Sequence, residues 1–160
     1  DYGDRVLAEG EPVVVDIGGT LDSGYHSDCT RTYVVGTAND FAKEIYDVVL
    51  RAQKAGVAAS VPGAKLADVD AACRDVISAA GYGDYFVHST GHGVGLDVHE
   101  APFAAQTGKG KLAAGMTLTI EPGIYVPGKG GVRIEDTLII TDGAPKIITA
   151  ATKEFTELPA

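Results

Sequence analysis

The chain has 160 residues, 45% hydrophobic and 22% charged, with a formal net charge of −9, the profile of one globular domain long enough to bury a core. That charge excludes general binding to nucleic acid, because no basic patch is available to displace counterions. No signal peptide and no apolar run of membrane-span length is visible, so no membrane association is expected. Cys29 and Cys73 are too far apart in sequence for a disulfide framework, which points to the reducing cytoplasm.

Residues 1–11 form a polar lead-in with no initiator Met and no helix before the first strand, so the chain reads as entered partway through a domain. The β-branched run Pro12–Ile17, ended by Gly18-Gly19, predicts a buried strand. A turn at residues 21–24 then leads to a second strand over residues 25–35, making a hairpin. Alternation places Asp28, Thr30 and Thr32 on one face of that strand and Cys29, Arg31 and Tyr33 on the other.

Asn39-Asp40 caps a helix expected to run to Ala59, with Phe41, Ile45, Val48, Val49, Ala52 and Ala55 at amphipathic spacing. A second helix is expected from Leu66 to Ala80, stopped by Gly81, with Val69, Cys73, Val76 and Ile77 inward. Neither helix carries chemistry legible in its residues, and both read as cover for a sheet.

Residues 88–100 (HSTGHGVGLDVHE) hold three of the four histidines, His88, His92 and His99, with glycines at 91, 93 and 95. Glycine lets backbone approach a ligand or bend sharply, and histidine is the commonest metal ligand and proton carrier near neutral pH. The GxGxG spacing is not the GxGxxG of a dinucleotide site. Residues 101–115 read as a small-residue loop, and Gly108-Lys109-Gly110-Lys111 lacks the frame of a phosphate loop. Strands are expected over residues 116–121 and 132–140, with a short one at 146–149. In the second of these Arg133, Glu135 and Thr137 share a face opposite Val132, Ile134 and Asp136.

Four acids stand where strands prefer apolar or hydroxyl residues: Asp16, Asp28, Glu121 and Glu135. Any one could be an edge charge or a strand-end cap. An isolated buried carboxylate is costly unless paired or bound to a cation, and four of them with His92 favour a shared site. Carboxylates with a single imidazole suit two divalent ions held close together, a set that hydrolyses substrates with a polarisable carbonyl or phosphoryl group.

Five segments occur in order: Asp16-Ile17-Gly18, then residues 24–32 (GYHSDCTRT), residues 91–100 (GHGVGLDVHE), Glu121-Pro122-Gly123, and residues 132–137 (VRIEDT). As a set they resemble the pita-bread metallopeptidases of peptidase family M24, within them the Xaa-Pro dipeptidase (prolidase) and Xaa-Pro aminopeptidase branch. The SDxTRT and GLDVHE forms point to this branch, with a methionine aminopeptidase-like enzyme or a non-catalytic peptide- or protein-binding module as the alternatives. Non-catalytic relatives, which bind peptides or proteins, have generally lost the ligands.

The resemblance implies an α+β pita-bread (creatinase/aminopeptidase-like) fold, a curved antiparallel sheet covered by helices. Residues 1–160 would be a single catalytic domain, the C-terminal larger part of that fold with its N-terminal elements missing. It implies an exopeptidase that hydrolyses Xaa-Pro bonds of short proline-containing peptides through a metal-bridging hydroxide. The two divalent ions would be manganese, with cobalt, zinc or iron as alternatives, and the protein a homo-oligomer, often a dimer. By the same resemblance Asp16 is a terminal metal ligand, Asp28 and Glu135 bridge, and His92 and Glu121 complete the second ion. Glu121 also carries the proton, His99 contacts the scissile carbonyl, His88 lines the substrate pocket, and Arg133 supports a ligand or meets the substrate carboxylate. Asp16 and Asp28 are twelve positions apart, one more than the common family spacing, and the turn at 21–24 can absorb the extra residue.

Overall fold

The computed structural model describes residues 4–160, so the first three residues of the polar lead-in lie outside the described residues. The architecture is α+β, with two α-helices among the described residues and short strands grouped in four small sheets. Strand β1 (Pro12–Ile17) pairs antiparallel with β2 (Cys29–Val35), which sets Asp16 opposite Thr30 and Ile17 opposite Cys29. The expected hairpin therefore forms, and its connecting turn closes on itself through Gly24 N donating to the Leu21 carbonyl at 2.8 Å. Two expectations change. β1 is half-buried rather than buried, with Asp16 and Ile17 exposed, because among the described residues it pairs with β2 alone. β2 begins at Cys29 rather than Tyr25, because the backbone ahead of it bonds elsewhere: His26 N to the Gly95 carbonyl and Ser27 N to that of Gly19, each at 2.9 Å.

Helix α1 (Asp40–Ala59) starts where expected, its Asn39 side chain accepting from Ala42 N at 2.8 Å. Its buried face, including Ile45, Val48, Val49 and Ala52, packs on α2 (Leu66–Ala79) and on strands lying within residues 117–133. Gly56 makes the helix crossing possible: a Cβ there would stand 2.3 Å from Cys73 Sγ. Val69, Cys73 and Ile77 face inward as expected, and Gly81 leaves α2 at φ +86°. After a 3₁₀ turn at Gly83–Tyr85, strand β3 (Gly91–Gly93) pairs antiparallel with β4 (Glu100–Ala104), the register shifting between His92 and Gly93. The start of the expected 101–115 loop is thus a strand. EAPFA contains a Pro and two Ala, a poor strand sequence, and the partner β3 is what orders it.

Strand β5 (Thr117–Ile120) pairs with β8 (Asp136–Ile139), which pairs with β9 (Lys146–Ile147). Strands β6 (Gly123–Val126) and β7 (Gly130–Arg133) form a hairpin between them. The single strand expected over 132–140 is therefore two, β7 and β8, parted at Ile134-Glu135. The physical reason is one hydrogen bond: Glu135 N donates to the Thr30 carbonyl of β2 at 3.0 Å instead of continuing a ladder. The chain closes with β10 (Glu157–Leu158), parallel to β2, a pairing that its sequence does not announce. Leu118, Ile120, Ile124, Val132, Ile134, Leu138 and Ile140 meet the two helices in one buried core.

Candidate metal centre

The ladders converge five side chains from five places: Asp16 near the end of β1, Asp28 just before β2, His92 in β3, Glu121 after β5, and Glu135 in the gap between β7 and β8. Their ligand atoms form overlapping groups, each with all members within 4.8 Å: His92, Glu121 and Glu135; Asp16, Asp28 and Glu135; and Asp28, His92 and His99. Glu135 belongs to two of the three. All five residues expected as ligands are brought together, although 119 positions separate the first from the last.

Local chemistry fixes each one. His92 Nδ1 lies 3.0 Å from the Gly93 carbonyl, so that nitrogen is committed as a donor. Nε2 then faces Glu121 Oε1 at 3.1 Å and Asp28 Oδ2 at 3.6 Å. Buried Thr119 accepts from His92 N at 3.0 Å and donates to Glu121 Oε1 at 3.1 Å, setting both residues with one hydroxyl. This demands close backbone contact between β3 and β5, and Gly91 allows it: a Cβ at that position would stand 1.7 Å from the Thr119 carbonyl oxygen. Among the glycines at positive φ, none is Gly91, Gly93 or Gly95, so these three serve approach rather than bending. Buried Thr30 donates to Glu135 Oε2 at 2.6 Å.

Arg133 links Asp16 to the rest. Its Nη2 donates to Asp16 Oδ2 at 2.6 Å, its Nε to Thr30 Oγ1 at 3.3 Å, and its Nη1 to the Tyr125 hydroxyl at 2.7 Å. Tyr125 in turn lies 2.8 Å from His88 Nε2, while His88 Nδ1 lies 2.8 Å from the Ser89 carbonyl. His88 therefore reaches the site through Tyr125. His99 is exposed, its ring centroid 4.3 Å from that of His92, and with Asp16, Asp28 and His26 it lines an open cleft of about 390 Å³.

The electrostatics are those of closely set acids competing for charge. Burial, with the Glu121 charge next, pushes the Glu135 carboxyl up to about 8. Burial, then Asp16 and Glu121, raises Asp28. For His92 burial opposes the charged ring, but the hydrogen bonds to Glu121 and the Gly93 carbonyl and the nearby carboxylates outweigh it, lifting the imidazole to about 9. Glu135 Oε1 is buried and has no hydrogen-bond partner among the described residues. A buried carboxylate oxygen left unpaired is costly, and a bound cation would remove that cost. The donor set and this orphaned oxygen fit divalent ions with oxygen-rich coordination.

Sequence reasoning missed the supports. Tyr125, Thr119 and Thr30 carry no signal beyond their place beside ligands, and His26 read only as part of a motif. The helices, expected as mere cover, supply buried polar groups. Asp70 of α2 accepts from Thr90 N at 3.2 Å, and the Thr90 carbonyl accepts from Glu121 N at 2.8 Å.

A family model described as metallopeptidase family M24 matches residues 1–142. The chain is 49% identical over 152 residues to the Xaa-Pro dipeptidase of Pyrococcus furiosus, covering 95% of this chain and 43% of that protein. It is 52% identical over 147 residues to a probable dipeptidase PepE of Mycobacterium tuberculosis, 91% of this chain and 39% of the other. Among solved structures, the dipeptidase PepE of Mycobacterium ulcerans superposes with a TM-score of 0.95 at 47% identity, covering 99% of this chain and 43% of the other. The X-Pro aminopeptidase of Thermotoga maritima superposes with 0.93 at 34% identity, covering 98% of this chain and 44% of the other. The chain spans less than half the length of these relatives.

Proposed function

Since this chain belongs to metallopeptidase family M24, we propose that it carries the metal-binding, catalytic part of an Xaa-Pro dipeptidase acting on short proline-containing peptides. The observation that carries this reading is the convergence of Asp16, Asp28, His92, Glu121 and Glu135 in overlapping groups around Glu135. It is supported by relatives named Xaa-Pro dipeptidase and prolidase.

In this reading Asp16 would hold one divalent ion, His92 and Glu121 the other, and Asp28 and Glu135 would serve both. When bound, the ions, manganese first among the candidates, supply Lewis acidity to an attacking water and to the scissile carbonyl. The chain's own residues do the rest. Glu121 is placed to take the proton of the attacking water and return it to the leaving nitrogen, with Thr119 fixing its Oε1. His99, on the open side of the cleft, is placed to donate to the carbonyl oxygen as charge builds there. Arg133 holds Asp16 in its ligating position and is itself held by Tyr125, which His88 orients. Residues 1–160 act as part of one catalytic domain in a homodimer. Its cytoplasmic residence is supported by two free cysteines, and no described helix is long and apolar enough to cross a membrane.

The test is release of free proline from Gly-Pro, and of the N-terminal amino acid from a longer Xaa-Pro-Yaa peptide, by the Mn²⁺-loaded full-length protein. Release from the dipeptide is expected. Absence of turnover on both substrates, with two ions bound, would sink the reading.

A further inference from the structure

Behind the five ligands lies a second buried charge cluster that the proposed reaction leaves unused. Arg31 of β2 (3% exposed) and Asp136 of β8 (fully buried) form an ion pair at 2.7 Å. Arg31 uses every nitrogen. Its Nε donates to the Thr152 carbonyl and its Nη2 to that of Ala151, both at 2.8 Å. Its Nη1 donates to the carbonyls of Thr30, at 2.8 Å, and of Glu135. The second oxygen of Asp136 accepts from Gln53 Nε2 of α1 at 2.9 Å and from Lys153 Nζ, which also donates to Gln53 Oε1 at 3.1 Å.

A buried ion pair is weak evidence of stability, since desolvation offsets its attraction. What sets this one apart is where its donors go. They fix the main chain at Thr30 and Glu135, the two residues whose side chains bond each other at 2.6 Å. Glu135, like Asp28, belongs to two of the donor groups, and it is the more deeply buried of the two. The cluster also holds two cations against one carboxylate, leaving positive charge behind an acid-rich site. Lys153 is its most exposed member, with a side chain 22% exposed, and it arrives on the C-terminal segment, outside the five family motifs.

We propose that Lys153 is a positioning residue of the metal centre: through Asp136 and Arg31 it holds Glu135 in the orientation that lets one carboxylate serve two ions. The inference rests on the metal reading above. Its test is Mn²⁺ titration of the full-length protein by calorimetry, with electron paramagnetic resonance of the loaded form and a circular-dichroism melt, for the wild type, Lys153→Ala and Lys153→Arg. Lys153→Ala is expected to stay folded, to take its second ion about 10- to 100-fold more weakly, and to lose the spin-coupled signal of a bridged pair. Lys153→Arg restores both. If Lys153→Ala does not fold, Lys153→Gln, which keeps a donor toward Asp136 without the charge, is read in the same way. Wild-type affinities and spectrum in the charge-deleted variant would overturn the positioning role while leaving the metal reading intact. A wild-type full-length protein that takes up no ion would overturn the metal reading, and this inference with it.

Discussion

His92 Nε2 stands 3.1 Å from Glu121 Oε1, and a single hydroxyl, that of Thr119, sets both residues, at 3.0 Å from His92 N and 3.1 Å from Glu121 Oε1. The imidazole and the Glu121 carboxylate are thus positioned by β5 together, and the β3–β5 contact decides the site.

That contact depends on Gly91. Gly91→Ala places a methyl group 1.7 Å from the Thr119 carbonyl oxygen, with backbone on both sides and little room to yield. A cost of about 3 kcal/mol is expected, lowering Tm by roughly 6–12 °C in a domain of this size. A melt within 2 °C of the wild type would show that β3 and β5 can part without loss.

Asp28 lies in two of the three ligand groups. Asp28→Ala in the full-length enzyme should reduce kcat/KM for Gly-Pro by more than about 100-fold, beyond the effect of losing a residue that merely supports a ligand. Near-normal turnover at saturating Mn²⁺ would remove Asp28 from the centre.

Tyr125→Phe deletes the hydroxyl joining Arg133 Nη1 at 2.7 Å and His88 Nε2 at 2.8 Å. It leaves polar groups without a partner, at about 1–3 kcal/mol, and loosens the arginine that holds Asp16. Mn²⁺ affinity should fall about tenfold while the fold persists. Unchanged affinity by calorimetry would mean that Arg133 holds Asp16 unaided.

The pH dependence has opposite signs with and without metal. Burial and the Glu121 charge raise Glu135 from 4.5 to about 8. His92, despite burial, is raised from 6.5 to about 9 by Glu121 and the Gly93 carbonyl. Both folded values lie above the unfolded ones, so each group's stabilisation is complete below its unfolded value and lost as pH rises through its folded value. The metal-free Tm should therefore fall from about pH 5 to 9, and Glu135→Gln should flatten the lower part of that fall. Metal must displace both protons, so Mn²⁺ affinity should rise, by up to about 100-fold per pH unit between pH 6.5 and 8. Calorimetry showing affinity independent of pH would contradict this.

The sequence by itself determined the α+β class, both helices and the ligand types. Asn39 before an amphipathic run, and Gly81 after another, are local signals with local physics. Asp16, Asp28, Glu121 and Glu135 are legible as a set, because four acids at or beside strands of one small domain ask for a common partner, although only Asp16 lies within a strand and it is exposed there. What only the tertiary structure decided lies between segments distant in sequence. β4 is a strand because β3 is beside it, and β7 and β8 part because Thr30 claims the Glu135 amide. Arg31, Gln53, Asp136 and Lys153 look like ordinary surface polar residues one at a time. They become a buried cluster only when β2, α1, β8 and the C-terminal segment pack together, since the partners of a buried charge are chosen in space and leave no mark on the spacing of residues.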